Sequence, residues 1–233
     1  MSIRLDPAVF DTEVNNKIFA CICLSGGLEG DVAAVGGMDK GGYTEQLLAF
    51  LMANATQSFS APLHKKLHLF GRYASHAEPL DPVDAGCPFV MSGRWRPGHY
   101  DGPEANALRA MCATHLGEDK VHLHLGPIES VVTDLPARSL FCLLYMNSRL
   151  YGPTYAALER LFSQAMVGEG CLILFADWNA NRASPRYGER RAWAECVEKF
   201  GIEYSDGGAF GLSSHMMIVH DYRGAPTAGA KEQ

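Results

Sequence analysis

The chain has 233 residues, 47% of them hydrophobic and 20% charged, enough for one well-buried α/β domain. With 20 Lys and Arg against 26 Asp and Glu the formal charge is −6, which argues against non-specific binding to nucleic acid or anionic membranes. No apolar run approaches bilayer length, and acids in MSIRLDPAVFDTEV stand where a signal peptide needs an apolar core, so the expectation is a cytoplasmic protein with no membrane partner.

Residues 8–25 read as an amphipathic helix, with Val14, Ile18, Phe19 and Ile22 on one stripe and Gly26-Gly27 as its stop. With it, residues 1–27 form an N-terminal helical segment; 28–222 form the α/β domain. The first strand is Val32–Val35. It runs into a glycine-dense turn, Gly36, Gly37, Gly41 and Gly42, before a helix over 43–54. Strand, glycine turn and helix together suit a cofactor: the glycines allow close backbone approach and the helix start offers free N–H groups. The spacing G-G-x-x-x-G-G is not the dinucleotide fingerprint G-x-G-x-x-G, so NAD is not expected. A tight turn without a ligand is the other reading of the same glycines.

Lys65–Phe70 is the second strand. Residues 71–102, rich in Gly, Pro, Asp and His, read as a long loop with little regular structure, the kind that forms a lid or substrate wall. It carries His76, Trp95, His99 and Tyr100; His99 is the candidate general base, against a reading of all four as ordinary loop residues. A helix opens at Pro103 and closes at Gly117. Val121–Leu125 is strand three. Its His122 and His124 share a face, which fits structural histidines better than a metal pair. Leu140–Met146, almost wholly apolar, suits a central parallel strand. A helix over 154–166, a strand over 171–175 and a helix over 189–200 follow, and 202–204 with 215–220 make an edge hairpin. Residues 223–233 read as a flexible tail. The alternation argues for a doubly wound, Rossmann-like α/β domain with a mostly parallel seven-stranded sheet and helices on both faces. The seven cysteines, odd in number and mostly in apolar runs, read as buried free thiols; Cys21 and Cys23 point apart on a helix and are discounted as a metal pair.

This order of pieces resembles the class I methyltransferase fold, and more narrowly the macrocin-type (TylF-like) O-methyltransferase family, which modifies sugars and other parts of natural products. Four stretches carry the likeness: GDVAAVGGMDKGG, LHLFGRYASHAEP, LLYMNSRLYGPTYAALERL and GEGCLILFADW with YGERRAW. The resemblance implies S-adenosylmethionine as cofactor, a small-molecule substrate and a possible homodimer. It places Gly36, Gly37, Gly41, Gly42, Gly71 and Arg72 on the cofactor, with Ile128 and Glu129 on its adenine side.

The chain departs from the family at the polar positions. The family's strand-one acid falls on Ala34 and its ribose-binding acid on Gly71. Its D-x-D pair falls on Asn147 and Arg149, and its D-D pair on Ala176 and Asp177. In the family the last acids help hold a divalent metal. Here one carboxylate and an amide beside an arginine make a poor set for a hard cation, so no metal is expected. Gly71-Arg72 reads either as a pocket reshaped for an anion or as a lost acid beside a solvent-facing arginine. Asp177, Asn147 and Arg149 should meet at the strand ends, as a catalytic cluster or as a structural ion pair. Arg186, Arg190 and Arg191 read as a clamp for an acidic substrate or as a solvated helix start. The expected function is small-molecule tailoring on a methyltransferase fold, with methyl transfer, repurposed chemistry (cyclisation, elimination or hydrolysis) or a non-catalytic partner role left open.

Overall fold

The computed structural model describes residues 12–36, 42–58, 64–73, 81–94, 104–126, 128–132, 135–136 and 139–224. The expected Rossmann-like α/β domain is present. Seven strands form one sheet: β1 (Asp31–Gly36), β2 (Leu67–Gly71), β3 (Val121–Leu125), β4 (Phe141–Met146), β5 (Val167–Phe175), β6 (Glu203–Phe210) and β7 (Ser214–Asp221). Their order is β3-β2-β1-β4-β5-β7-β6. The first five are parallel, and β7 and β6 close the edge as an antiparallel hairpin. The order reverses direction between β1 and β4, and the crevice outside the carboxyl ends of strands at such a point is where open α/β sheets take ligands.

The helices are α1 (Thr12–Ser25), α2 (Tyr43–Ser58), α3 (Pro82–Ala85), α4 (Pro88–Met91), α5 (Ala105–Leu116), α6 (Ile128–Val131), α7 (Tyr151–Ser163) and α8 (Gly188–Phe200). Two apolar clusters lie on opposite faces of the sheet. One joins α1, α2 and α5 to Ala34, Leu69, Leu143 and Leu174. The other joins α7 and α8 to Ala33, Phe70, Leu144 and Ile173. Neighbouring residues of one strand thus serve different cores, which is why β4 is buried along its whole length. Full burial of each such Leu or Phe contributes about 1.5–3 kcal/mol.

The stretch 71–102 departs from its reading as a plain loop. It contains α3 and α4, each four residues long and too short to show a period. Asp81 caps α3 by accepting from the Val83 amide, and Pro82 follows as the first helical residue. Asp84, 1% exposed, then accepts from the Tyr151 and Gly152 amides at 2.6 and 2.7 Å. It satisfies the open N–H groups of α7, which explains why that helix begins at Tyr151 rather than Thr154. Ile128–Val131 forms a single helical turn. The last two strands are also longer than the sequence suggests, because they pair with each other and with β5.

All seven cysteines are free thiols, and Cys21 contacts the Met216 sulfur from α1. No helix of the described residues is long and apolar enough to cross a membrane.

Candidate active site

The carboxyl ends of β4 and β5 bring together the polar residues of the candidate centre. Asn147, 3% exposed, donates its N–H to the Val35 carbonyl at 2.8 Å, which extends the β1–β4 pairing by one residue. The chain then turns sharply. Arg149 sits at φ +59°, a left-handed conformation unusual for a residue with a side chain. Its carbonyl accepts from Asn181 Nδ2 at 2.8 Å, and Asn181 Oδ1 accepts from the Phe89 amide at 3.1 Å. The guanidinium lies over the Phe89 ring, 5.3 Å from its centroid, and Nε donates to Asp177 Oδ2 at 2.9 Å. Both ends of Arg149 are therefore held, which is how a strained residue persists.

Behind this pair stands Glu189, 1% exposed, in the first turn of α8. Its Oε2 accepts from the Asp177 amide at 2.9 Å, while Oε1 has no hydrogen-bond partner among the described residues. Burial, and then the neighbouring Asp177 carboxylate, push the Glu189 carboxyl well above the ordinary range, against the pull of the Asp177 and Ser148 amides and of Arg149. Gly188 makes the approach possible: at φ +59°, a Cβ there would meet Asn181 Nδ2 at 2.6 Å and the Arg149 carbonyl at 2.9 Å. The sequence reading missed Glu189, yet a signal existed. Glu189, Ala192, Trp193 and Cys196 are the buried face of α8 at helical spacing, and Glu189 is the charged member of that stripe. An arginine-held carboxylate thus stands in front of a buried carboxyl whose surroundings favour the proton.

The cofactor side differs from what the resemblance implies. Gly36 lies at φ +124°, and a Cβ there would fall 2.1 Å from the Asn147 carbonyl. Its glycine is required by the crossing of β1 and β4, whatever else it serves. At Gly71, where the family has its ribose-binding acid, a Cβ would meet the Gly36 carbonyl at 2.6 Å and the Tyr73 ring at 3.0 Å. Tyr73, 4% exposed, packs with Ala34 and Tyr145 in the core cluster of that face. These residues do not fit S-adenosylmethionine held through a ribose-diol carboxylate. Gly42, at φ +62°, leads into α2; Arg72 is exposed; Ile128 and Glu129 lie in α6. Gly37, Gly41 and His99, with His76, Trp95 and Tyr100, lie outside the described residues.

The donor set does not suit a hard divalent cation either. Asp177 is engaged by Arg149, Ala176 replaces the second acid, and among the described residues no group of three potential ligands is assembled. The histidines of β3 join a stack. His68 Nδ1 lies 3.0 Å from His124 Nε2, His68 Nε2 lies 3.3 Å from Asp31 Oδ2, and the His122 ring stacks on His68 at 5.0 Å. The three arginines part company. Arg190 turns to the Trp178 carbonyl and Asn179 Oδ1, Arg191 to Glu195, and Arg186 lies 5.7 Å over the Tyr187 ring.

No family model matches the chain, and no curated protein sequence matches it. Solved structures do. The O-methyltransferase NovP matches with a TM-score of 0.68 at 14% identity, over 89% of this chain and 80% of its own. The calicheamicin methyltransferase CalS11 matches with a TM-score of 0.61 at 16% identity, over 88% and 78%. An O-methyltransferase from Bacillus cereus, solved with SAH, matches with a TM-score of 0.50 at 10% identity, over 95% and 84%. At such identities the likeness is one of fold, and the fold of this chain is that of the class I methyltransferases.

Proposed function

We propose that this chain is a small-molecule tailoring enzyme on the methyltransferase fold, and that its reaction centre is the Arg149–Asp177 pair, with Asn147 beside it and Glu189 behind, working without a divalent metal. The observation that carries this is Arg149. A non-glycine residue at φ +59° places its guanidinium on Asp177 at 2.9 Å where the ends of β4 and β5 meet. Such a conformation costs about 1–3 kcal/mol and clusters at functional sites. Asp177 is placed to take a proton from a substrate hydroxyl, and Arg149 to steady the oxyanion that results. This convergence of polar groups speaks against a non-catalytic partner subunit, which has no need of it.

Two chemistries fit the centre. The solved neighbours are named as O-methyltransferases, CalS11 among them for calicheamicin, and this favours methyl transfer in natural-product biosynthesis. The packing of Tyr73 against Gly71 favours chemistry that does not draw on S-adenosylmethionine, such as cyclisation, elimination or hydrolysis. Calorimetric titration with S-adenosylmethionine and S-adenosylhomocysteine, with and without Mg²⁺, separates them. Micromolar binding indifferent to Mg²⁺ supports metal-free methyl transfer; no binding up to millimolar supports the second chemistry. In either case Asp177→Asn is expected to lower turnover of a hydroxylated acceptor by about 10²-fold or more. Turnover equal to wild type would remove Asp177 from the centre.

A further inference from the structure

Between α3, the loop before α8 and the outer face of α8 lies an open cavity of 560 Å³. Its floor is apolar: Pro82 and Val83 from α3 and the Tyr187 ring from the loop. Its charged groups are Arg186, Arg191 and Glu195. Both walls are fixed in place. The α3 wall is tied to α7 through Asp84, and α8 is tied to the same helix because Glu195 Oε2 accepts from the Tyr151 hydroxyl at 2.6 Å.

The charge account decides what the cavity takes. Glu195 Oε1 accepts from Arg191 Nε at 2.7 Å, so that pair is close to neutral, while the Arg191 guanidinium rests 4.7 Å over the Tyr151 ring. The two acids near the α3 wall do not line the cavity and accept from backbone, Asp81 from the Val83 amide and Asp84 from the Tyr151 and Gly152 amides, but Asp81 keeps its charge and draws on Arg191. Arg186 is exposed, lies over the Tyr187 ring and has no carboxylate partner among the described residues. What remains is one guanidinium without a carboxylate partner, Arg186, a second, Arg191, already shared with Glu195 and the Tyr151 ring, and an apolar floor. Tyr187 packs against the small cluster of Cys87 and Leu150, and so does Phe89, whose ring carries the Arg149 guanidinium, so the cavity and the reaction centre share this cluster.

We infer that this cavity is a recognition site for an anionic small molecule, one with an apolar or aromatic body and a single carboxylate or phosphoryl group, which Arg186 and Arg191 receive. That this ligand is the acidic part of the substrate rests on the proposed function; the site itself does not. Arginine suits the task because its planar fork matches both oxyanions. Arg190, next in sequence, takes no part, because its guanidinium is spent on Trp178 and Asn179.

The test is a titration of the intact, isotope-labelled protein with benzoate and with phenyl phosphate, followed by amide NMR shifts, with benzyl alcohol as the neutral control. Saturable shifts confined to residues 82–86 and 185–195 are expected, and the tighter of the two probes identifies the oxyanion. Arg186→Ala, at an exposed position that leaves the core intact, is expected to weaken binding about tenfold. Raising the salt should weaken binding as well. Asp177→Asn is expected to leave probe binding unchanged, so loss of turnover in that variant and loss of probe binding in Arg186→Ala report on separate claims. No saturable shift, shifts elsewhere, equal binding of benzyl alcohol, or an Arg186→Ala affinity equal to wild type would each overturn the assignment.

Discussion

The main-chain N–H of Asp177 donates to Oε2 of Glu189 at 2.9 Å, so a buried carboxyl group holds the backbone of the residue that faces Arg149. In the unfolded chain a glutamate titrates near 4.5, whereas burial and the Asp177 carboxylate raise Glu189 well above that in the fold. Below about pH 4.5 both states hold the proton and the group makes no difference to stability. As the pH rises past that value the unfolded state releases its proton and the folded state keeps it, so the fold is progressively penalised until the folded pKa is reached. Glu189→Gln removes this titration. Its melting temperature relative to wild type is therefore expected to climb as the pH goes from 4 to 8, by about 2–4 °C for each kcal/mol of penalty removed. A constant difference across that range would show that Glu189 titrates in the fold as it does in the unfolded chain.

At Arg149 the side chain and the backbone make separate contributions, and two substitutions tell them apart. Arg149→Ala leaves the Asp177 carboxylate, 11% exposed, without its guanidinium, and keeps a Cβ at φ +59°. Arg149→Gly loses the same ion pair but relieves the left-handed strain. Urea unfolding is expected to show a loss of about 1.5–3 kcal/mol for the alanine variant and a loss smaller by about 1 kcal/mol for the glycine variant. Equal losses would mean that the loop relaxes when the guanidinium is removed.

Gly36 is the glycine whose replacement should be felt most. A Cβ would stand 2.1 Å from the Asn147 carbonyl, a backbone atom that has no rotamer to escape to, at a φ of +124°. Gly36→Ala is expected to destabilise the protein by about 2–4 kcal/mol by forcing β1 and β4 apart at their carboxyl ends. Denaturant unfolding measures this directly. A loss under about 0.5 kcal/mol, the scale of an inert surface change, would show that the crossing is looser than the packing around Asn147 indicates.

The parts of the fold that could be read from sequence were those decided locally. Apolar runs such as Leu140–Met146 and stops such as Gly117 mark elements by themselves, and their alternation orders the sheet. Arg149 and Asp177 could be brought together on paper because each follows a strand of one parallel sheet, and the structure sets them 2.9 Å apart. What escaped was long-range or short in extent. The dipeptide Asp81-Pro82 is a good helix start, but the four residues behind it hold no period. Tyr73 looked like one more loop residue, and only the folded chain shows its ring over Gly71. Asp84 capping a helix 67 residues away has no sequence signature at all.

The histidine stack at the β2–β3 edge gives the protein a second pH dependence, opposite in sign to that of Glu189. Burial, then the neighbouring His68 and Lys66, hold His122 below the 6.5 of a free imidazole, against the Asp119 backbone and Asp31, which pull it upward. Its Nε2 is buried with no hydrogen-bond partner among the described residues, so the proton has no acceptor to meet. Above pH 6.5 the ring is neutral in both states and costs nothing. As the pH falls toward the folded value the unfolded chain takes up a proton that the fold resists, and stability is lost. His122→Asn is expected to match or fall below wild type in melting temperature at pH 7.5 and to rise relative to it as the pH is lowered from 6.5 to 5. Parallel melting curves over that interval would show that His122 titrates in the fold as it does in the unfolded chain.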